Sequence, residues 1–309
     1  MTRKTRNDLR SIYYTPFREA SFTSADKLKK VYRGKQNVKK WLKAQKTQQL
    51  HKPIRINFRR AYTFSSDVDY LWQIDLTFLR DLKRFNRGNE YLLTCIDVFS
   101  KYAWVAAVKT KTAESILEAF KSFLLKGRKP VKLQSDKGGE FENRVFQNYC
   151  KEKNIHFYTS KNYDIKAAVV ERFNRTFKTK MYKFFTAKKT KNYITNLQQL
   201  VNSYNNTRHR SIGMTPTEAS NIKSLKDKIR LFNKLYPLRK RDKIILKKGD
   251  YVLVTKLRKT FRKGYIANWS KEKFIIYKVF RSNPTLYQLV DLKGTIIEGR
   301  FYLQELQKI

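Results

Sequence analysis

Glu171 stands near the start of the stretch VVERFNRTFKTKM (residues 169–181), whose apolar residues Val170, Phe173, Phe177 and Met181, followed by Phe184, recur at helical spacing. That stripe seats a helix on a core. Glu171, Arg175 and Lys178, four and then three residues apart, share another face of it. An isolated Glu–Arg pair at this spacing is ordinarily a surface ion pair of small energetic weight. Two further acids change that reading. In LWQIDLTF (71–78), Ile74, Leu76 and Phe78 alternate onto one face of a strand and leave Asp75 on the other. Asp136 ends VKLQSD and is followed closely by Gly138 and Gly139. Each acid alone has a structural explanation: Asp75 as a strand-edge acid, Asp136 as a turn former, Glu171 as an ion-pair partner. Together they are two carboxylates fixed by strands and a third delivered by a helix. Hard divalent cations take oxygen ligands, and a pair of them about 3.5–4 Å apart needs such convergence to drive an in-line displacement at phosphorus. Asp97, in CIDVFSKY, is the competing acid, and it reads as a structural hydrogen-bonding group.

The elements needed to position these acids follow in order. Strands are expected over 71–78, 91–100 and 102–109, the last two joined tightly near Lys101. Thr112 reads as the N-cap of a helix that ends at Gly127. The strand 131–136, a helix over 142–153, the strand of IHFYTS and an unpatterned loop at 161–166 lead to the Glu171 helix. This order predicts an α/β domain with a mixed sheet. Glu114 and Glu118, on the first helix, read as ordinary helix acids, Glu114 favouring the N-terminus.

Composition narrows the partner. The 309 residues carry a formal net charge of +44, while 41% are hydrophobic and 14% aromatic, enough for real cores. Such a charge works against compaction and calls for a polyanion, nucleic acid above all. A membrane is not expected, because there is no long apolar run. The opening MTRKTRNDLRSIYY lacks the apolar core of a signal peptide. Cys95 and Cys150, far apart in apolar surroundings, read as buried free thiols of a reducing, intracellular compartment.

Residues 1–60 hold 18 Lys and Arg against 3 acids. Within them SADKLKKVYRGKQNVKKWLKAQ fits two short amphipathic helices broken near Gly34, a possible helix-turn-helix with Lys29, Lys30, Lys39, Lys40 and Lys43 facing phosphate. The equal alternative is a solvated basic pair that only packs. HKPIRINFRR (51–60) reads as a basic linker. After a Lys-rich connector (223–248), GDYVLVTKL, KFIIYKVF, TLYQLVDL and TIIEGRFY are short strands between turn signals. They are the makings of a small SH3-like barrel over 249–309. Arg258, Lys259, Arg262 and Lys263 fall at an expected hairpin tip (RKTFRK) placed to touch DNA backbone.

WQIDLTF, LQSDKGGEF and AAVVERFNRTFKTKM resemble the catalytic core of the retroviral integrase superfamily, over roughly residues 65–222 and including YNNTRHRSIGMTPTEAS. Within that superfamily, the HKPIR linker, the VERFNRTFK helix, and the GYIANWS and FYLQEL segments make the chain look most like integrases of Maverick/Polinton transposons. The resemblance implies a ribonuclease H-like fold and a DNA integrase. Asp75, Asp136 and Glu171 would be catalytic and would bind two Mg²⁺ or Mn²⁺ ions, with Arg175, Lys178 and Arg172 on DNA. It further implies processing of element 3′ ends and their joining to target DNA by a homo-multimer on double-stranded DNA, in the nucleus. Two departures stand out. The Asp136–Glu171 spacing is one residue shorter than the family's common one, which a loop absorbs. The zinc module of retroviral integrases has no counterpart, because His51, His156 and His209 are scattered and both cysteines fall in the core, so no zinc is expected. Two other classes are compatible with the sequence. A ribonuclease H-like nuclease would show a further metal-ligating acid, sought at Glu114 or Glu118. A domesticated, non-catalytic DNA-binding protein would gain nothing from carboxylates clustered against phosphate.

Overall fold

The computed structural model describes residues 8–55, 57–125, 127–136, 138–159, 167–238, 244–256 and 266–309. The chain divides into two compact units, one of residues 61–240 and one that joins residues 1–60 to 241–309.

The helices of the second unit come first in the chain: α1 (Leu9–Tyr14), α2 (Ala25–Val31), α3 (Val38–Ala44) and α4 (Lys46–His51). The two helices expected around Gly34 are α2 and α3. Leu9, Ile12, Tyr13, Leu28, Val38 and Leu42 close a small core among them. Asp8 caps α1 and Asn37 caps α3 through their side chains, which supports helices too short to hold themselves.

Residues 61–240 carry β1 (Leu71–Phe78), β2 (Tyr91–Asp97), β3 (Ala103–Val108), α5 (Ala113–Leu124), β4 (Lys132–Ser135), α6 (Arg144–Glu152), β5 (His156–Thr159) and α7 (Ala168–Lys188). Next come α8 (Leu197–Asn205), α9 (Pro216–Ser220) and α10 (Leu225–Leu235). The sheet order is β3-β2-β1-β4-β5. β1, β2 and β3 are antiparallel, and β4 and β5 run parallel to β1. This is the mixed α/β core expected. Alternation along β1 divides the layers. Trp72, Ile74 and Leu76 pack with Ile116, Phe120 and Phe146 of α5 and α6. On the other face Leu92, Ile96 and Val105 meet Val170, Phe173, Phe177 and Met181 of α7 and Val201 of α8. The apolar stripe of α7 continues to buried Phe185, while Phe184 is only half-buried. Cys95 and Cys150 are free and buried.

Edge strand β3 is capped by side chains of α8. Asn205 accepts from the Ala103 N–H at 3.0 Å and donates to the Ala103 carbonyl at 2.9 Å. Gln198 donates to the Val105 carbonyl at 3.1 Å. Amide side chains thus stand where a further strand's backbone would pair.

The second unit resumes with β6 (Tyr251–Val254), β7 (Phe274–Phe280), β8 (Leu286–Val290), β9 (Phe301–Tyr302) and β10 (Leu306–Lys308). Their order is β10-β6-β7-β8-β9, with a 3₁₀ turn over Leu303–Glu305 before β10. Among the described residues this is an open five-stranded sheet, not a closed barrel. The stretch TIIEGRFY yields only β9, with Ile296 bridging to Val290. Val252, Ile276, Tyr287 and Leu289 form its core. Arg258, Lys259, Arg262 and Lys263 lie outside the described residues. The end of α4 and the start of the expected linker are bound into this unit. The Leu50 carbonyl accepts from the Asn268 N–H at 2.7 Å, and the Lys52 carbonyl accepts from the Trp269 indole at 2.9 Å. Among the described residues, no helix is long and apolar enough to cross a membrane.

Candidate active site

Strand register brings the first two acids together. Ile74 of β1 sits opposite Ser135 of β4 in parallel pairing, so the next residue of each chain is Asp75 and Asp136. Asp75 is half-buried on the α7 side of the sheet. Its Oδ1 accepts from the Leu76 N–H at 2.9 Å, and its Oδ2 accepts from the Asn174 side-chain amide at 2.7 Å. Asp136 Oδ1 accepts from the Ala167 N–H at 3.0 Å, which ties the end of β4 to the start of α7. Glu171 lies in the first turn of α7 and is exposed. Burial raises the pKa of Asp75 from its ordinary value, and the charges of Asp136 and Glu171 act in the same direction, against the Leu76 and Asn174 hydrogen bonds. The three acids are therefore close enough for the charges of Asp136 and Glu171 to be felt at Asp75.

Two polar residues that sequence reading passed over hold this site together. Ala167, at the N-cap of α7, gives no side-chain cap. Buried Gln73 of β1 takes that role, its Oε1 accepting from the N–H groups of Val169 at 3.0 Å and Val170 at 3.1 Å. Its amide donates to Gln134 of β4 at 2.9 Å, so one side chain fixes two strands and the helix start. Its signal was a glutamine two residues before Asp75 in the strand LWQIDLTF. Asn174 is buried, and its signal was its place three residues after Glu171. Its Oδ1 is buried without a hydrogen-bond partner.

The donor set fits hard cations in kind: three carboxylates, with an unpartnered amide oxygen beside Asp75. Among the described residues, no three His, Cys, Asp or Glu side chains are gathered closely enough to hold an ion. Lys178 is half-buried close to Asp75. Desolvation lowers its pKa, and the Asp75 charge works in the opposite direction. Arg175 is exposed on α7, and Arg172 turns toward a separate cavity. Lys39, Lys40 and Lys43 are exposed on α3, in the other unit.

Asp97 is a different kind of acid. It is fully buried and accepts from the Phe99 N–H at 3.2 Å, the Ser100 N–H at 3.1 Å, the Ser100 hydroxyl and Arg128. Those bonds fold the turn between β2 and β3. Glu114 and Glu118 are exposed on α5, which packs on the face of the sheet opposite α7. Neither adds a fourth carboxylate to the site.

Residues 66–164 match the integrase core domain family, a span that holds Asp75 and Asp136 and stops short of Glu171. An uncharacterized transposon-derived protein of Caenorhabditis elegans is 33% identical over 212 residues, covering 66% of each chain. The Gag-Pol polyprotein of gibbon ape leukemia virus is 32% identical over 151 residues, which is 48% of this chain and 9% of the polyprotein. The chain thus spans less than two thirds of the length of the first and under a tenth of the second. A chain from the cryo-EM structure of the simian T-cell lymphotropic virus intasome in complex with PP2A regulatory subunit B56 gamma matches with a TM-score of 0.68. That match covers 93% of this chain and 95% of the other at 15% identity, a likeness of fold. Residues 66–164 are thus homologous to the integrase cores of retroviruses and transposons.

Proposed function

We propose that this chain is a DNA integrase that trims element 3′ ends and joins them to target DNA at Asp75, Asp136 and Glu171. The single observation that carries the reading is the parallel register of β1 and β4, which makes Asp75 and Asp136 the next residues on neighbouring strands, with Asp136 bonded to the start of the helix that bears Glu171. Carboxylates set against one another in a DNA-binding protein repel both each other and phosphate, so their arrangement makes sense when cations join them. Two bound Mg²⁺ or Mn²⁺ ions would supply an activated oxygen nucleophile and stabilise the leaving oxygen. Asp75 and Asp136 hold their ligand oxygens on neighbouring strands, and Glu171 approaches from the helix. Asn174 keeps the Asp75 carboxylate in one orientation, and Gln73 fixes the helix start. Lys178, inside the site, and exposed Arg175 bind phosphates of the element end.

The wider reading follows from charge and likeness. The exposed lysines of α3 and the basic segment 258–263 supply further backbone contacts. The sheet of residues 249–309, whose last strand returns beside its first, is an SH3-like module. Residues 1–60, 65–222, 223–248 and 249–309 act as an N-terminal DNA-binding region, catalytic core, linker and C-terminal module. Joining two ends takes at least two sites, hence a homo-multimer on DNA, in the nucleus. The element is of the Maverick/Polinton kind.

The test is strand joining with labelled element-end duplexes in Mg²⁺ or Mn²⁺, run beside Asp75→Asn, Asp136→Asn and Glu171→Gln. Joined products that vanish in all three variants while DNA binding persists support the reading. Cleavage without joining replaces it with a nuclease. Binding with neither activity replaces it with a domesticated DNA-binding protein.

A further inference from the structure

The segment YNNTRHRSIGMTPTEAS has structural work for most of its residues. Asn205 caps the β3 edge, and the Asn205 carbonyl accepts from Thr217 at 3.1 Å. Gly213 has φ +76° and closes the turn by donating to the His209 carbonyl at 2.7 Å. Thr215 and Glu218 form a reciprocal cap on α9 with Pro216 in its first turn. Arg208 and Arg210 have none of these duties. Both are exposed and neither bridges directly to a carboxylate among the described residues, while the Arg208 charge reaches Glu218.

Their side of the segment opens on a cavity of about 990 Å³. Lys101, Arg172, Arg208 and Arg210 line it, and no carboxylate does. His209 joins them, its pKa lowered first by burial and then by the charges of Lys101 and Arg172. Lys101 lies in the left-handed turn after β2 at φ +63°, where it donates to the Val98 carbonyl at 2.6 Å. Aromatic rings interleave with the cations. Tyr62 is 37% exposed and stands edge-on to Tyr236, 5.6 Å between ring centres. The Tyr236 hydroxyl is held by the Ser65 N–H at 2.9 Å, which fixes that ring as a wall.

We propose that this cavity binds a nucleotide of single-stranded DNA, its phosphate among Lys101, Arg172, Arg208 and Arg210 and its base against Tyr62. Cations with no bridging carboxylate recognise phosphate, and aromatic rings stack on any base. The volume suits a nucleotide rather than a bare phosphate. Arg172 follows Glu171 directly in α7, so a strand seated here runs close to the acid site. The inference rests on the integrase reading for the choice of DNA as the polyanion.

The test uses the full chain in EDTA, so that no strand joining is required. Affinity for a fluorescent single-stranded oligonucleotide is measured across a salt series for the parent, Arg208→Glu/Arg210→Glu and the charge-matched control Lys188→Glu/Lys189→Glu. All four positions are exposed, and thermal unfolding checks that the variants fold. The cavity variant is expected to weaken binding at least about tenfold, and to lower the slope of log affinity against log salt by about 1.4, two contacts at 0.7 each. The control should change less. An oligonucleotide carrying 5-iododeoxyuridine should photocrosslink to Tyr62, and Tyr62→Ala should remove that product. Affinity within twofold of the parent, or crosslinks confined to other segments, overturns the proposal. So does displacement by inorganic pyrophosphate with no crosslink at Tyr62, which would make a small phosphate compound the occupant. A crosslink at Tyr62 in a protein that never joins strands upholds the cavity and sinks the integrase reading. Joining without that crosslink does the reverse.

Discussion

Asp75 and Asp97 lie on adjacent antiparallel strands of one sheet, and they are provisioned in opposite ways. Asp97 is fully buried, yet it has two backbone donors, a hydroxyl and the Arg128 guanidinium. Arg128 is itself held by Asp69, at 2.6 Å at its shortest, and lies over the rings of Tyr102 and Trp104. Asp75 is less buried, but it has one backbone donor and one amide, and its charged neighbours include two carboxylates. Where an acid serves the fold, its neutralising partners are built in. On the proposed function, the matching place beside Asp75 is left for a cation brought from outside.

The largest test of this contrast is activity. If the proposed function holds, Asp75→Asn, Asp136→Asn and Glu171→Gln should each lower strand joining about a thousandfold or more, because each would remove a ligand oxygen of the reacting centre. Asp97→Asn should leave joining per folded molecule within a few-fold, and gel assays on matched folded fractions decide the matter. Next comes stability. Arg128→Ala strands Asp97 in the interior, and urea titration should show a loss of about 3 kcal/mol, the lower end for a broken buried pair because Arg128 is partly solvated. Asp75→Asn should cost nothing in the same experiment, since it removes a repulsion.

Smaller effects sharpen the comparison. Asn174→Ala frees the Asp75 carboxylate and should reduce joining about tenfold, with unchanged urea midpoint within error. Should it unfold the protein instead, Asn174 belongs with the structural set. The smallest effect is in pH. Asp97 rises from its ordinary 3.8 to about 6, mainly through desolvation. The folded state then holds a proton that the unfolded state has released between those values, so this contribution is full below 3.8 and lost as pH rises through about 6. Urea midpoints measured from pH 7 down to pH 5 should show this gain superimposed on other titrations, and Asp97→Asn should remove it.

The elements that carry the three acids were legible because each has a strong local pattern: Asp75 in an alternating strand, Asp136 at a strand end before glycines, Glu171 on a striped helix. The mixed sheet followed from the same alternation. Gln73 and Asn174 were not legible, since their partners are 96 and 99 residues away and no local period marks such bonds. The cavity of Lys101 and Arg208 escaped for the same reason, its wall being assembled from distant segments. The C-terminal sheet was anticipated as strands but not as an open sheet, because closure depends on long-range register that short strands do not encode. His51 and Lys52 read as linker since they are held through their backbone carbonyls, which every residue carries.

Those carbonyls have a consequence for biosynthesis. Residues 61–240 are contiguous, and they can fold as soon as they leave the ribosome. The other unit cannot, because His51 and Asn268 are 217 residues apart and must meet before it closes. Helices α1 to α4 therefore wait, exposed and strongly basic, through most of translation. During that interval the carbonyls of Leu50, His51 and Lys52 lack the partners that later hold them, and the end of α4 is open to proteases.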